Sequence, residues 1–282
     1  MGTYLSLVKF SHTVFAMPFA FIGFALAVSD EKYDFSLRLL LLIILCMIFA
    51  RNAAMGFNRL VDRQIDSLNP RTGNREIPTG KISPSSAKIF VIANSLFFII
   101  TAGFINRLTL ILAPVALTII LGYSLTKRIT WLCHFILGLG LSLAPVGAYI
   151  SVTGRFNLLP LIYSFMVLTW VSGFDIIYAL LDEDFDRKNR LYSIPAATGK
   201  KRALIISSVV HFATFVLVVI AGLAGMGGIL YWTGALIFSL LLAYQHLIVK
   251  PGDLSRVTLA FQTTNGYASI LLAFFVILDL FR

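Results

Sequence analysis

Nine apolar runs, each close to the length needed to cross a bilayer, dominate this chain. They cover residues 12–28, 37–57, 85–104, 108–125, 131–152, 158–181, 203–224, 229–249 and 262–281. A helix needs about 20 predominantly apolar residues to span the hydrocarbon core. Inside lipid every backbone N–H and C=O must be satisfied within the segment, so runs of this kind are helices rather than isolated strands. The sequence therefore predicts an all-α, polytopic membrane protein with nine transmembrane helices. Of the 282 residues, 58% are hydrophobic and only 13% charged, too few charges to cover the surface of a soluble domain. No low-complexity segment or appended soluble domain interrupts the pattern, so residues 1–282 read as one membrane domain. The first run follows Lys9 and contains Ala25-Leu26-Ala27, a small-residue pattern found at signal-peptide cleavage sites. A single preceding charge and a long apolar stretch favour a retained span instead.

The net charge is +10. In a soluble protein that balance would suggest a nucleic-acid partner. Here the basic residues lie between apolar runs and read as topology signals, so no nucleic acid is expected. Arg59, Arg63, Arg71, Arg75 and Lys81 cluster between runs two and three, and Lys88 stands at the start of run three. Arg187, Lys188, Arg190, Lys200, Lys201 and Arg202 cluster between runs six and seven, while the opposite side holds only Lys32, Arg38, Arg107, Arg155 and Arg282. The positive-inside bias puts the N-terminus and both long loops in the cytoplasm. The expected location is the bacterial inner membrane. Cys46 and Cys133 sit alone in apolar runs, which gives neither a disulfide framework nor metal spacing. His12, His134, His211 and His246 are scattered and read as packing or interface residues.

The two long loops follow two acidic motifs. Asn58, Asp62 and Asp66 recur at i, i+4, i+8, one face of a helix. Arg51 lies seven residues before Asn58, near the same face. A membrane helix does not carry Arg, Asn and two Asp on one face without a partner or a water-filled cavity. Asp175, Tyr178, Asp182 and Asp186 fall at i, i+3, i+7, i+11 and predict a second stripe, on span six. Such groups just outside a span can be plain solvated helix ends, as Glu183, Asp184, Arg187 and Lys188 can be. Two acidic stripes at corresponding helix ends call for more. Mg²⁺ takes hard oxygen ligands, a few carboxylates with waters and substrate phosphates. Two short carboxylate stripes facing each other can hold two such ions. Without metal the carboxylates would repel a diphosphate; with it, the neighbouring Arg63, Arg71, Arg75 and Lys81 can reach the remaining phosphate oxygens. Tyr123 and Lys127, at i, i+4 at the end of span four, share a face, although an interfacial aromatic beside a lysine is common on its own.

Taken together, Asn58-xxx-Asp62-xxx-Asp66, Asn74-Arg75-Glu76-Ile77-Pro78-Thr79-Gly80, Tyr123-xxx-Lys127, the run Asp175–Asp186, and the later Phe261 and Asn265-Gly266 resemble the UbiA family of intramembrane aromatic prenyltransferases. The resemblance covers essentially the whole chain. It departs at Glu76, where many relatives carry Pro. It implies nine helices around a central cavity, a small cytoplasmic cap from the two long loops, and a lateral opening to lipid. The implied reaction is Mg²⁺-dependent transfer of a polyprenyl group from its diphosphate to a small aromatic acid of the 4-hydroxybenzoate type, in ubiquinone or menaquinone biosynthesis. A dihydroxynaphthoate acceptor of the futalosine route to menaquinone is the alternative.

In that reading Asn58, Asp62 and Asp66 ligate one Mg²⁺, and Asp182 and Asp186 the other. Arg63, Arg75 and Lys127 bind diphosphate. Asp175 and Tyr178, with Tyr123 and Lys127, form the catalytic set, and Asp175 steadies the allylic cation or the acceptor hydroxyl. Arg51 pairs with an acceptor carboxylate or is a structural partner of Asp175. The partners are the two substrates and the lipid bilayer, with no obligatory protein partner. A secondary transporter would also carry intramembrane charges, but places its site near mid-bilayer on broken helices, whereas these stripes lie at helix ends beside arginines.

Overall fold

The computed structural model describes Leu7 and residues 16–282. Lys9 and His12 lie outside the described residues. Eight helices are long and apolar enough to cross a membrane, and a ninth, shorter apolar helix covers Met17–Val28. In chain order these are α1 (Met17–Val28), α2 (Leu37–Leu68), α3 (Pro84–Gly103), α4 (Arg107–Thr126), α5 (Cys133–Thr153) and α6 (Leu158–Ala179). A 3₁₀ turn over Leu180–Asp182 leads into the short α7 (Glu183–Lys188) and α8 (Ile194–Thr198). Then come α9 (Lys200–Ala224), α10 (Ile229–Ile248), a π-turn over Leu259–Thr264, and α11 (Asn265–Leu280). Among the described residues there is no strand beyond one isolated pairing of Lys250 with Asp253. The all-α membrane reading therefore holds.

The chain divides into two compact units. The first contains Leu37–Leu125, the second Val14–Ser36 and Thr126–Arg282. In the first unit α2 packs along α3. A Cβ on Gly56 would come within 3.0 Å of Val91 and 3.1 Å of Phe90, so the missing side chain sets how closely the two helices approach. Asn52 donates to Asn94 across the same seam at 3.1 Å. Ser83 caps α3 by accepting from the Ser86 N–H, with Pro84 in the first turn, a residue pair suited to starting a helix. α2 has 32 residues, about 48 Å at 1.5 Å per residue. It therefore outruns a hydrocarbon core of about 30 Å, and its last turns carry the first acidic motif.

In the second unit α5 and α6 pack together, with α1 on α5 and α9 on α6. Trp170 is fully buried at the centre. Its ring centroid lies 5.2 Å from Phe19, 5.1 Å from Phe174 and 6.0 Å from Phe238. A Cβ on Gly23 would fall 2.0 Å from the Pro145 carbonyl oxygen, and one on Gly138 2.5 Å from the Leu168 oxygen. Backbones meet at those crossings because lipid offers no hydrophobic drive and close packing must hold the helices. Outward faces carry exposed Ile89, Phe97, Val209, Phe212 and Leu240, which suits hydrocarbon and not water.

Candidate active site

The first motif lies wholly on α2, so its spacing survives as one stripe. Asn58 Nδ2 donates to Asp62 Oδ2 at 3.0 Å. From Asn58 to Asp66 the stripe runs about 12 Å along the axis. Beyond α2 the chain folds back: Gly73 N–H donates to the Asn69 oxygen and Thr72 Oγ1 to the Asp66 oxygen. That turn returns Arg75 to the motif, where Nη1 meets Asp66 Oδ1 at 2.6 Å. Arg63 Nη1 donates to the Leu60 carbonyl at 2.8 Å. Arg51 is half-buried earlier on α2, and Tyr123 is half-buried in the last turn of α4. Arg59, beside Asn58 in sequence, is buried with its Nε unmatched among the described residues. A fully buried arginine inside an acidic motif belongs with the candidate site, although counting it as a topology charge hid it.

The second motif departs from a single helical stripe. Asp175 and Tyr178 stand on α6, Asp182 closes the 3₁₀ turn, and Asp186 lies on α7. Three 3₁₀ residues advance about 60° more than three α-helical ones, so the phase changes at the turn. The break has a local cause. α7 opens with Glu183, Asp184 and Asp186 and closes with Arg187 and Lys188, charges that complement a new helix dipole. Asp186 is fully buried, 2.8 Å from Lys127 Nζ, and accepts from Ser193 Oγ at 3.0 Å. Lys127 is the first residue past the end of α4. Its carbonyl accepts from the Tyr192 N–H at 2.7 Å. Burial works against the Lys127 ammonium. The Asp186 carboxylate offsets this by charge and by hydrogen bond, and with Asp182 it holds the lysine above its ordinary pKa.

Deeper on α6, Asp175 Oδ2 lies 2.6 Å from His134 Nδ1. Tyr178 stacks on Phe261, with centroids 4.1 Å apart. Phe261 is presented by the π-turn, which Asn265 braces by donating to the Ala260 and Phe261 carbonyls. His134 is a second site residue that the sequence does not reveal, since a lone histidine in an apolar run reads as packing. Its buried position gave no signal, because the partner is 41 residues away in the chain.

Among the described residues no three His, Cys, Asp or Glu side chains converge as a ready-made metal cage. That rules poorly for a closed four-ligand site but fits Mg²⁺, which takes one or two carboxylates and completes its shell with water and phosphate. Asp66 Oδ2 is buried and accepts no hydrogen bond among the described residues, an oxygen whose lone pairs are available to a hard cation. The donor chemistry of both motifs fits that ion.

Helices long enough to span, with carboxylates and cations at their ends, define an integral membrane protein. The UbiA prenyltransferase family model matches residues 16–275, and the chain belongs to that family. It is 28% identical over 231 residues to a 4-hydroxybenzoate octaprenyltransferase of Aliivibrio fischeri, covering 81% of this chain and 79% of that protein. The enzyme of the same name from Yersinia enterocolitica is 29% identical, over 75% of this chain and 73% of its own. The solved apo structure of a UbiA homologue from Aeropyrum pernix aligns with TM-score 0.85 and 33% identity, covering 95% of this chain and 98% of that one. An Archaeoglobus fulgidus homologue bound to GPP and Mg²⁺ shares the fold, with TM-score 0.72 and 22% identity over 99% of this chain and all of its own.

Proposed function

We propose that this protein transfers a polyprenyl group from polyprenyl diphosphate to an aromatic acid of the 4-hydroxybenzoate type, for quinone biosynthesis. The observation that carries the reading is the pairing of each acidic motif with a cation, Asp66 with Arg75 and Asp186 with Lys127. Carboxylates suit a divalent metal and the cations suit phosphate oxygens. Asn58, Asp62 and Asp66 would hold one Mg²⁺, and Asp182 and Asp186 a second. Mg²⁺ when bound would neutralise the diphosphate and make it a better leaving group. Arg63, Arg75 and Lys127 contact the phosphate oxygens. Asp175 and Tyr178 face the reacting carbon, where a carboxylate and an electron-rich ring favour positive charge. Tyr123 completes the polar end, and Arg51 takes the acceptor carboxylate. The relatives this chain matches are 4-hydroxybenzoate octaprenyltransferases, which supports this acceptor over a naphthoate. The prenyl chain is hydrocarbon and its diphosphate is not, so an enzyme within the bilayer serves both ends. Residues 1–282 act as one domain in the bacterial inner membrane, with both long loops in the cytoplasm.

Asp62→Ala and Asp182→Ala should each abolish Mg²⁺-dependent prenyl transfer in membranes while the protein still inserts. Each loss should exceed about a hundredfold, the scale of removing a charge-stabilising group from a transition state. Normal turnover in either variant would sink the metal assignment. The acceptor is tested by the aromatic acid that accumulates when the gene is deleted: a hydroxybenzoate supports this reading, and a naphthoate overturns its acceptor.

A further inference from the structure

His134, the second residue of α5, is buried and held at three points. Its carbonyl accepts from Ser172 Oγ on α6 at 3.2 Å. Its Nδ1 lies 2.6 Å from Asp175 Oδ2. Its Nε2 lies 3.2 Å from the Ile194 backbone N. That last contact decides the tautomer. A backbone N–H only donates, so Nε2 must present its lone pair, and the ring proton sits on Nδ1, aimed at Asp175. The same loop reaches the second acidic motif, because Ser193 donates to Asp186 Oδ2 at 3.0 Å. Asp175 keeps 22% of its side chain exposed, so the carboxylate is anchored at one oxygen and still open.

We infer that His134 is a positioning residue for Asp175. The Ile194 N–H fixes the imidazole tautomer, and the imidazole N–H fixes the carboxylate rotamer. A carboxylate that acts on developing charge works by prior orientation, and a rotamer held from behind needs no reorganisation during reaction. The start of α8 thereby supports two groups at once, Asp186 through Ser193 and Asp175 through His134. This inference rests on the proposed role of Asp175.

Two substitutions separate the halves of the histidine. In His134→Asn the amide nitrogen takes the place of Nδ1 and can still donate to Asp175, while the acceptor for Ile194 is lost. In His134→Gln the amide oxygen takes the place of Nε2 and keeps Ile194, while the donor to Asp175 is lost. Full-length protein in nanodiscs is assayed with geranyl diphosphate, Mg²⁺ and 4-hydroxybenzoate. His134→Gln should lose about ten- to a hundredfold in kcat, the scale of one hydrogen bond to a charged group, with KM for geranyl diphosphate changed by less than about threefold. His134→Asn should recover most of that loss. Equal loss in the two variants, or full kcat in His134→Gln, overturns the inference. Asp175→Asn tells this failure from failure of the underlying reading. If it is inactive while His134→Gln is unaffected, only the inference falls; if it is fully active, the role of Asp175 falls and the inference with it. Nitrogen NMR of the wild-type protein tests the tautomer without any variant. A proton on Nδ1 alone is expected, and a proton on Nε2, with or without one on Nδ1, overturns the assignment.

Discussion

Lys127 and Asp186 lie far apart in the chain, yet their charged atoms are 2.8 Å apart. Asp186 is fully buried, so removing its cation leaves a carboxylate with a desolvation penalty to meet. Lys127→Met should lower stability by about 1–2 kcal/mol, less than breaking a fully buried pair, because 37% of the Lys127 side chain is exposed and screened. The sign of the pH dependence follows from the lysine. Its folded pKa is raised above the ordinary 10.5, so its contribution is complete below that value and fades as pH climbs through the folded one. Thermal unfolding of wild type and Lys127→Met should differ by a constant amount across neutral pH and converge only above 10.5. Convergence on the neutral side would remove this pair as the cause.

Elements set the positions that residues use. Gly23 lets α1 lie against the α5 backbone, with no room for a Cβ beside Pro145. Gly23→Ala must push the helices apart and should cost about 1–3 kcal/mol, as overpacking does, read as a shorter half-life in detergent. Asn265 closes the π-turn. Its Oδ1 accepts from Trp170 Nε1 at 3.0 Å and Gln245 Nε2 at 2.8 Å, while its amide donates back to the turn. Asn265→Leu strands two buried donors at about 1–3 kcal/mol each and frees Phe261 from Tyr178. The variant should melt earlier and lose prenyl transfer together; unchanged turnover would show that the Tyr178–Phe261 stack is not needed.

At the scale of the whole molecule the basic loops predict a sidedness. In a protein lacking Cys46 and Cys133, Lys81→Cys and Arg190→Cys should react with an impermeant thiol reagent only in inverted vesicles. Arg155→Cys should react only in right-side-out ones. The reverse pattern would put the acidic motifs on the outer face and out of reach of a cytoplasmic diphosphate. The proposed reaction uses Asp62 and Asp182 of the same chain. Mixed vesicles carrying separately inactivated Asp62→Ala and Asp182→Ala chains should therefore remain inactive.

The apolar runs alone determined the membrane class and, near enough, the helix count, because lipid forces any run of that length into a helix. They also carried the phase of Asn58, Asp62 and Asp66, since α2 continues unbroken past the bilayer and a periodic pattern is then a face. The second motif was legible as an acidic cluster but not as a geometry. Its phase changes at Leu180–Asp182, where the charge pattern starts a new helix, and periodicity cannot register a 3₁₀ turn. Lys127 is legible as a cation at the end of span four, but its partners, the Tyr192 N–H and the Asp186 carboxylate, are not. His134 was invisible for a related reason. One histidine in an apolar run has no pattern, and only packing of α5 on α6 brings its ring to Asp175 and to Ile194. Periodic features come from the local rise and turn of one helix, so the sequence determined them. Pairings of single polar groups depend on which backbones approach, and only the tertiary structure decided those.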